Sequence, residues 1–300
     1  MSVPMAFLGT ILIWSTTPLA IKWSSVGPGF MFAVTARMAI GALGCLLLLL
    51  LVRGRLYWHK AAVYTYLAAG LGIYGAMSCV YWGAQFIPSG LVSVIFGLTP
   101  LIMGVMASYW LDEQTLTPIR LLGLASALSG LVLIFGNGIH AGYMAMLGML
   151  SVFVAVVLHS LSSVWVKRIA ADLPVITVTT GGLLMALPLY LITWSLVDGH
   201  LPASIPTKAL ASIVYLGLFG SVMGFILFYY VLKHVEASRV GLIPLVTPVS
   251  AMVVGLLLNG EAIPTVVWSG TGLILLGMSV YQWGQLLFRR RSSAVVIQED

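Results

Sequence analysis

The chain consists almost entirely of apolar segments of about 20 residues, the length that an α-helix needs to cross the hydrocarbon core of a bilayer. Turn residues separate these segments, for example Gly27-Pro28-Gly29 and Gly136-Asn137-Gly138. The sequence therefore predicts an all-α integral membrane protein with ten transmembrane helices. The predicted spans are 3–22, 28–52, 61–86, 89–111, 117–136, 143–166, 174–197, 208–232, 238–259 and 264–288.

Composition supports this fold class, because only 7% of the residues are charged and 60% are hydrophobic. A soluble domain of this size would not have enough charges to cover its surface. The net charge of +6 is explained by Lys and Arg in the loops between spans, as membrane topology requires. The expected partner is therefore a lipid bilayer, and binding of nucleic acid is not expected. Cys45 and Cys79 lie in apolar segments and are interpreted as core residues. No metal or other cofactor is expected, and the protein is expected to be a monomer.

The distribution of Lys and Arg predicts the orientation. If the N-terminus is cytoplasmic, only Lys22 and Lys208 fall in outer loops. Such an excess of positive charge on one side marks the cytoplasmic face, so both termini are predicted to be cytoplasmic. No Lys or Arg precedes the first apolar segment, which is interpreted as a span rather than a removed signal peptide. The cytoplasmic positions are Arg53, Arg55, Lys60, Arg120, Lys167, Arg168, Lys233, Arg239, Arg289, Arg290 and Arg291.

A pattern of scarce residues recurs after 148 positions: Thr99-Pro100 and Glu113 correspond to Thr247-Pro248 and Glu261. Five spans in each half is an odd number, so the second half would be inverted relative to the first. Inverted repeats in transporters enclose a central site between the two halves. The predicted divisions are a first five-helix repeat at 1–138, a second, inverted repeat at 142–290 and a cytoplasmic tail at 291–300.

Several short motifs resemble those of EamA-type carriers of the drug/metabolite transporter superfamily. They are the Trp in Leu12-Ile13-Trp14-Ser15, the Arg in Thr35-Ala36-Arg37, and the Thr-Pro of the fourth span followed by Asp112-Glu113. The resemblance covers residues 3–288, and the chain looks most like the YddG-type exporters of amino acids. One departure is Ser15, where many members have Gly. The resemblance implies export of aromatic, other neutral and related amino acids and metabolites by alternating access, from the cytoplasm across the bacterial inner membrane.

Aromatic and polar side chains within the spans are candidates for substrate binding. Tyr74 and Tyr81 are seven residues apart and therefore share one helix face, with Ser78 between them. His159 lies well inside its span and could hydrogen-bond a substrate or a neighbouring helix. Packing or interface positions are the alternative for the aromatic residues. The predicted substrate-binding residues are Trp14, Tyr74, Ser78, Tyr81, Thr99, His159 and Trp165.

A second group of residues is predicted to act in gating or as hinges. Pro100 and Pro248 interrupt helical hydrogen bonding in both halves, as a hinge or as a static kink. Arg37 carries a charge that costs about 2.5–3.5 kcal/mol inside a bilayer, so it should face protein or water. It could attract a substrate carboxylate or have a purely structural role. Lys22 and Lys167 end the first and sixth spans and would flank the outer and inner mouths, unless they simply extend to the interface.

The sequence also bears on four other functions, namely cation–proton exchange, drug efflux, an enzyme and a channel. All eight acidic residues lie at span ends, in loops or in the tail, which disfavours the buried Glu that small multidrug pumps use for cation and proton exchange. Efflux of lipophilic drugs remains the alternative. The sequence has no GxSxG or HExxH motif, and the side chains of adjacent His159 and Ser160 would diverge by about 100° on a helix. An enzyme is therefore not expected, and the spans lack the polar lining of a channel.

Overall fold

The computed structural model describes residues 2–113, 117–240 and 243–296, and every regular element in this part of the chain is a helix. The prediction of an all-α protein is therefore confirmed. A π-helix at Leu216–Met223 joins α9 to α10. The α-helices are α1 (Val3–Ser24), α2 (Phe30–Leu51), α3 (Lys60–Gly83), α4 (Ser89–Phe96), α5 (Thr99–Trp110), α6 (Pro118–Ala141), α7 (Tyr143–Ile169), α8 (Val175–Val197), α9 (Thr207–Tyr215), α10 (Gly224–His234), α11 (Ala237–Val240), α12 (Ile243–Asn259) and α13 (Thr265–Val296).

Within the described residues, eight helical segments are long and apolar enough to cross a bilayer. Two of them combine shorter elements: Ser89–Trp110 contains α4 and α5, and Thr207–His234 contains α9, the π-helix and α10. Two shorter apolar helices follow, at Thr247–Asn259 and Thr265–Tyr281. These segments coincide in position with the predicted spans.

One predicted break in the helices is wrong. The chain does not break at Gly136-Asn137-Gly138, because α6 continues to Ala141 and the turn falls at Gly142, whose φ is 107°. A continuous helix keeps its backbone hydrogen bonds satisfied in a bilayer, which outweighs the local turn preference. Helix α13 extends to Val296, so the first residues of the predicted tail at 291–300 are helical. Neither Gly nor Pro follows Gly284 to stop that helix; residues 297–300 lie outside the described residues.

The two proline positions of the repeat differ in their local structure. The helix ends at Phe96 and starts again at Thr99, where the Thr99 hydroxyl donates a 2.6 Å hydrogen bond to the Phe96 carbonyl. Pro100 has no N–H to continue the helical ladder across this break. Pro248, in contrast, lies inside α12. A Cβ atom at Gly97 would lie 3.6 Å from Pro248 Cγ, so Pro248 packs beside the break in the other half.

Helices from the first part of the chain pack mainly against helices from the second part. Helix α6 packs against α13, α3 against α7 and α8, and α1 against α12 and α10. The α6–α13 contact is close: a Cβ at Gly123 would lie 2.4 Å from the Gly277 carbonyl oxygen, and one at Gly130 would lie 2.4 Å from that of Gly270. Small residues allow such an approach between membrane helices. This arrangement leaves a cavity in the centre, between the two parts.

Candidate functional site

A central cavity of about 70 Å³ is lined by side chains from α1, α2, α3, α4, α7, α10 and α12. This volume is below the range of small-molecule sites, which is about 300–1,000 Å³, so the cavity must widen to admit a solute as large as an amino acid. Most of the lining side chains are apolar, and Arg37 is the one among them that carries a permanent charge. Trp14 and His159, two of the predicted substrate-binding residues, both line the cavity, and Phe96 and Phe225 contribute further rings.

Aromatic rings form a continuous group, of which Trp14, Phe96 and His159 line the cavity. The Trp14 ring stacks on Phe228 at a centroid distance of 5.2 Å, and His159 meets the edge of Trp14 at 5.7 Å. His159 also lies 5.0 Å from Phe228 and 6.2 Å from Phe96. Stacked and edge-on pairs at such distances are the favoured aromatic geometries. We call these four residues, Trp14, Phe96, His159 and Phe228, the aromatic cluster.

The His159 imidazole has an unmet hydrogen-bonding requirement. Its Nε2 atom is buried and has no hydrogen-bond partner in the part of the chain that the structure describes. An unpaired buried polar atom costs about 1–3 kcal/mol, and such atoms are rare in folded proteins. Because His159 lines the cavity, a polar group that enters the cavity can supply the missing hydrogen bond.

Arg37 forms the polar part of the wall. Only 2% of the residue is exposed, and its Nε donates a 3.1 Å hydrogen bond to the hydroxyl of Ser221. Ser221 belongs to the π-helix, a rare element that often occurs at functional sites. The guanidinium carbon also lies 5.9 Å from the centre of the Tyr81 ring. Arg37 is thus enclosed by protein and lines the cavity, whereas its predicted role in gating stays a prediction.

Four of the predicted substrate-binding residues lie behind the wall of the cavity. Tyr81 and Thr99 are almost completely buried. The Tyr74 hydroxyl lies 2.6 Å from the Thr193 hydroxyl, and Ser78 neighbours the buried Tyr190. These side chains support the wall, while Met77 and Val80 of the same helix α3 face the cavity.

Trp165 lies apart from the cavity. Its side chain is 48% exposed, and its ring packs edge-on against Trp110 at 6.3 Å. The structure thus does not bring Trp165 together with Trp14 and His159. Phe96 and Phe228, which do join them, were missed because periodicity within one helix does not reveal which rings from different helices meet.

Lys22 is the centre of a polar cluster next to the cavity-lining residue Ile21. Its ammonium lies 3.2 Å from Glu261 Oε1 and donates to the Ile87 carbonyl at 3.3 Å. Glu261 Oε2 accepts hydrogen bonds of 2.8 and 2.9 Å from the backbone N–H and hydroxyl of Ser89. A carboxylate at this position stabilises the N-terminus of α4. We call Lys22, Ile87, Ser89 and Glu261 the Lys22 cluster.

The Glu261 carboxyl lies in the connection between α12 and α13, and its environment favours ionisation. Burial by itself would raise the pKa of Glu261. Hydrogen bonds from Ser89 and Asn259, together with the positive charge of Lys22, outweigh burial and hold this pKa below its usual range. The carboxylate is therefore charged at neutral pH, as the ion pair with Lys22 requires.

A corresponding cluster surrounds Lys167. The Lys167 ammonium donates to the carbonyls of Val235 and Leu232, and Glu113 accepts hydrogen bonds from the N–H groups of Ala237 at 3.0 Å and Ser238 at 3.3 Å. We call Lys167, Val235, Ala237 and Glu113 the Lys167 cluster. Val235, Ala237 and Glu261 follow Ile87, Ser89 and Glu113 by 148 residues, so the two clusters obey one pattern.

The two clusters differ in their ion pairing. Lys22 and Glu261 form an ion pair, whereas no ion pair within 4.0 Å joins Lys167 to Glu113 among the ion pairs of the described residues. In the sequence, Glu113 and Glu261 mark the repeat, and Glu113 also belongs to the motif that resembles EamA-type carriers. Their recurrence thirteen residues after the matched prolines was the signal that could have identified them as functional candidates.

Comparison with known protein families identifies the type of molecule to which this cavity belongs. The model of the EamA-like transporter family matches residues 1–136 and 146–281. The chain belongs to the EamA-like transporter family. The resemblance to EamA-type carriers is thereby confirmed, and the protein is a multi-pass membrane transporter.

Relatives in the EamA family align over most of this chain. The uncharacterized transporter YoaV of Bacillus subtilis (strain 168) is 27% identical over 92% of this chain and 95% of its own length. A probable terminal-alkyne amino-acid exporter of Streptantibioticus cattleyicolor is 29% identical over 75% of this chain and 74% of its own. The uncharacterized inner membrane transporter YedA of Escherichia coli (strain K12) is 24% identical over 98% of this chain and 95% of its own length.

A solved structure supports the fold. A crystal structure whose sequence is 21% identical superimposes with a TM-score of 0.71 and covers 96% of this chain and 98% of its own. At this level of identity the likeness establishes the arrangement of the helices. The chemistry of the cavity must be argued from the residues of this chain.

Proposed function

We propose that this EamA-family protein exports amino acids and related metabolites from the cytoplasm across the bacterial inner membrane. The observation that carries the proposal is the central cavity, which combines the aromatic cluster with the unpaired Nε2 atom of His159. Such a wall suits a small solute with an apolar or aromatic side chain and a few polar groups. The amino-acid exporter of Streptantibioticus cattleyicolor supports the same substrate class.

The proposal includes ten transmembrane helices in two inverted repeats, at 1–138 and 142–290. The two segments that match the family model, 1–136 and 146–281, support these divisions. So does the shared backbone conformation of Asp112 and Gly260, which lie 148 residues apart with φ of 54° and 60°. In the orientation that the positive charges predict, both termini are cytoplasmic, the Lys22 cluster is external and the Lys167 cluster is cytoplasmic.

Alternating access would use these two clusters as gates. Glu261 of the second repeat binds the N-terminus of α4 in the first repeat, and Glu113 of the first binds the N-terminus of α11 in the second. Rocking one repeat against the other would separate each carboxylate from its helix, first on one side and then on the other. Pro100 and Pro248 would act as hinges, since the break at Gly97 packs against Pro248. A single copy of the chain contains all these parts, so a monomer is sufficient.

Efflux of lipophilic drugs is the alternative. The predominance of apolar side chains on the cavity wall favours it. The two substrate classes differ in the charge that they bring to Arg37. An amino acid carries a carboxylate, whereas a lipophilic cation has none and would meet the fixed positive charge of Arg37. Repulsion between like charges in a dry cavity is much stronger than in water.

Flux measurements in liposomes separate these functions. Purified protein would be reconstituted and tested with labelled threonine, phenylalanine and a lipophilic cation, with and without a pH gradient. Flux of the amino acids without flux of the cation is expected. Flux of the cation alone would establish drug efflux instead, and an effect of the gradient would reveal proton coupling. Empty liposomes and protein with Trp14→Ala serve as controls.

A further inference from the structure

The guanidinium of Arg37 has donors that the chain does not satisfy. Nε binds Ser221, but the Nη1 atom is buried and has no hydrogen-bond partner within the described part of the chain. A polar ligand with acceptor oxygens would satisfy this atom.

The positive charge of Arg37 is also uncompensated. No carboxylate of the described residues forms an ion pair with it, and none of the Asp and Glu residues of the sequence lies within the apolar spans. A buried cation without a partner is costly. Because Arg37 lines the cavity, the group that balances its charge can come from the cavity contents.

Two glycines place Arg37 relative to the aromatic cluster. A Cβ at Gly220 would lie 3.0 Å from Arg37 Nη2, and a Cβ at Gly224 would lie 3.4 Å from Trp14 Nε1. These glycines are four positions apart on the segment formed by the π-helix and α10, which is about one helical turn, or roughly 5 Å. The guanidinium and the indole therefore lie along the same helix face at a distance that one small molecule spans.

We infer that Arg37 binds the carboxylate of the transported substrate. The side chain of the substrate then lies against the aromatic cluster. Planar guanidinium and carboxylate groups match each other in paired hydrogen bonds, which Lys cannot reproduce. This inference rests on the proposed function and makes it more specific: the substrate must carry a carboxylate next to an apolar group.

The test compares L-phenylalanine with phenethylamine, which has the same ring and amine but no carboxylate. The native protein in liposomes is expected to carry phenylalanine and to discriminate against phenethylamine. Arg37→Met should raise the KM for phenylalanine by about tenfold or more, the effect of losing charge-assisted hydrogen bonds, and should abolish the discrimination. Arg37→Lys should retain part of it. Lys208→Met removes an exposed charge that stacks on Trp23. This control should change neither the KM for phenylalanine nor the discrimination against phenethylamine.

A variant that keeps the arginine guards against misfolding. Gly220→Ala places a methyl group 3.0 Å from Nη2, so it should displace the guanidinium and raise the KM for phenylalanine while leaving phenethylamine unaffected. If Arg37→Met does not fold, Gly220→Ala and Arg37→Lys decide the question. An unchanged KM in the folded variants overturns this inference alone. A native protein that carries no amino acid overturns the proposed function together with this inference.

Discussion

The ammonium of Lys22 lies 3.2 Å from the carboxylate of Glu261, although 239 residues separate them in the chain. The pair joins the end of α1 to the connection between α12 and α13, and Glu261 extends the link to α4 through Ser89. Removing one partner of a buried, hydrogen-bonded pair is costly because it leaves the other without compensation. This relationship makes the Lys22 cluster the most specific target for testing how access to the cavity is controlled.

Glu261→Gln should open the cavity on the side of Lys22, because glutamine cannot maintain the ion pair. A cysteine at Ile21, in a chain whose Cys45 and Cys79 are replaced by Ala, would report access to the cavity. We expect a membrane-impermeant thiol reagent added on that side to label the variant several-fold faster. Glu113→Gln is the matched control in the Lys167 cluster and should not accelerate labelling from that side. Equal acceleration by both substitutions would contradict separate gates.

The contribution of Glu261 to stability should depend on pH. Its folded-state pKa lies below its usual value, so the stabilisation is fully present above the unfolded pKa of about 4.3 and is lost as the pH falls through the folded value. The difference in Tm between the native protein and Glu261→Gln, measured in detergent from pH 7 to pH 3, should stay constant down to about pH 5 and then shrink. A difference that is unchanged at pH 3 would refute this expectation.

Asp172→Asn provides a contrast for the pH experiment. Asp172 forms an ion pair with Lys233 at 2.7 Å, but its side chain is 94% exposed. The pKa of Asp172 is lowered by the hydrogen bond and charge of Lys233. Exposed pairs contribute little because water screens them. The Tm of Asp172→Asn should therefore remain close to that of the native protein throughout the same range.

Trp14→Ala should lower the flux of phenylalanine while expression stays near normal. The substitution removes the ring that contacts both Phe228 and His159, and loss of about 1.4 kcal/mol of binding corresponds to a tenfold effect. Trp165→Ala deletes an equally large ring outside the cavity and should leave the KM unchanged. Equal losses of flux and of folded protein for Trp14→Ala would indicate a packing role.

Gly277→Ala should destabilise the contact between α6 and α13. The new methyl group would lie 2.4 Å from the Gly123 carbonyl oxygen and 2.6 Å from Ala127 N, and overpacking of this kind costs about 1–3 kcal/mol. Gly272→Ala in the same helix meets nothing within 4 Å and should be neutral or slightly stabilising, as alanine favours helices. Thermal unfolding in detergent compares the two variants. A Tm for Gly277→Ala equal to that of Gly272→Ala would contradict the close approach.

Much of the fold follows from local properties of the sequence. Apolar length alone places the helices, since each must satisfy its backbone hydrogen bonds within the bilayer. The same rule explains why α6 continues through the turn signal Asn137-Gly138. The π-helix was not predicted, since none of the patterns considered distinguishes five-residue from four-residue hydrogen bonding.

The cavity was predicted only in part. Trp14, Arg37 and His159 stood out as unusual residues in apolar surroundings, and all three line the cavity. Tyr81 and Thr99 had the same appearance in sequence but support the wall, because helix rotation depends on packing against neighbours far away in the chain. Glu261 and Ser89 could not be paired from sequence, because their contact depends on how helices far apart in the chain pack together.

The π-helix at Leu216–Met223 also affects how this region aligns with other sequences. Such a segment amounts to one extra residue in an α-helix, and each residue turns an α-helix by about 100°. Deleting one residue there would rotate Phe225 and Phe228 away from Trp14. A homologue that is one residue shorter in this segment therefore presents different side chains to its solute, even if the flanking sequences are identical.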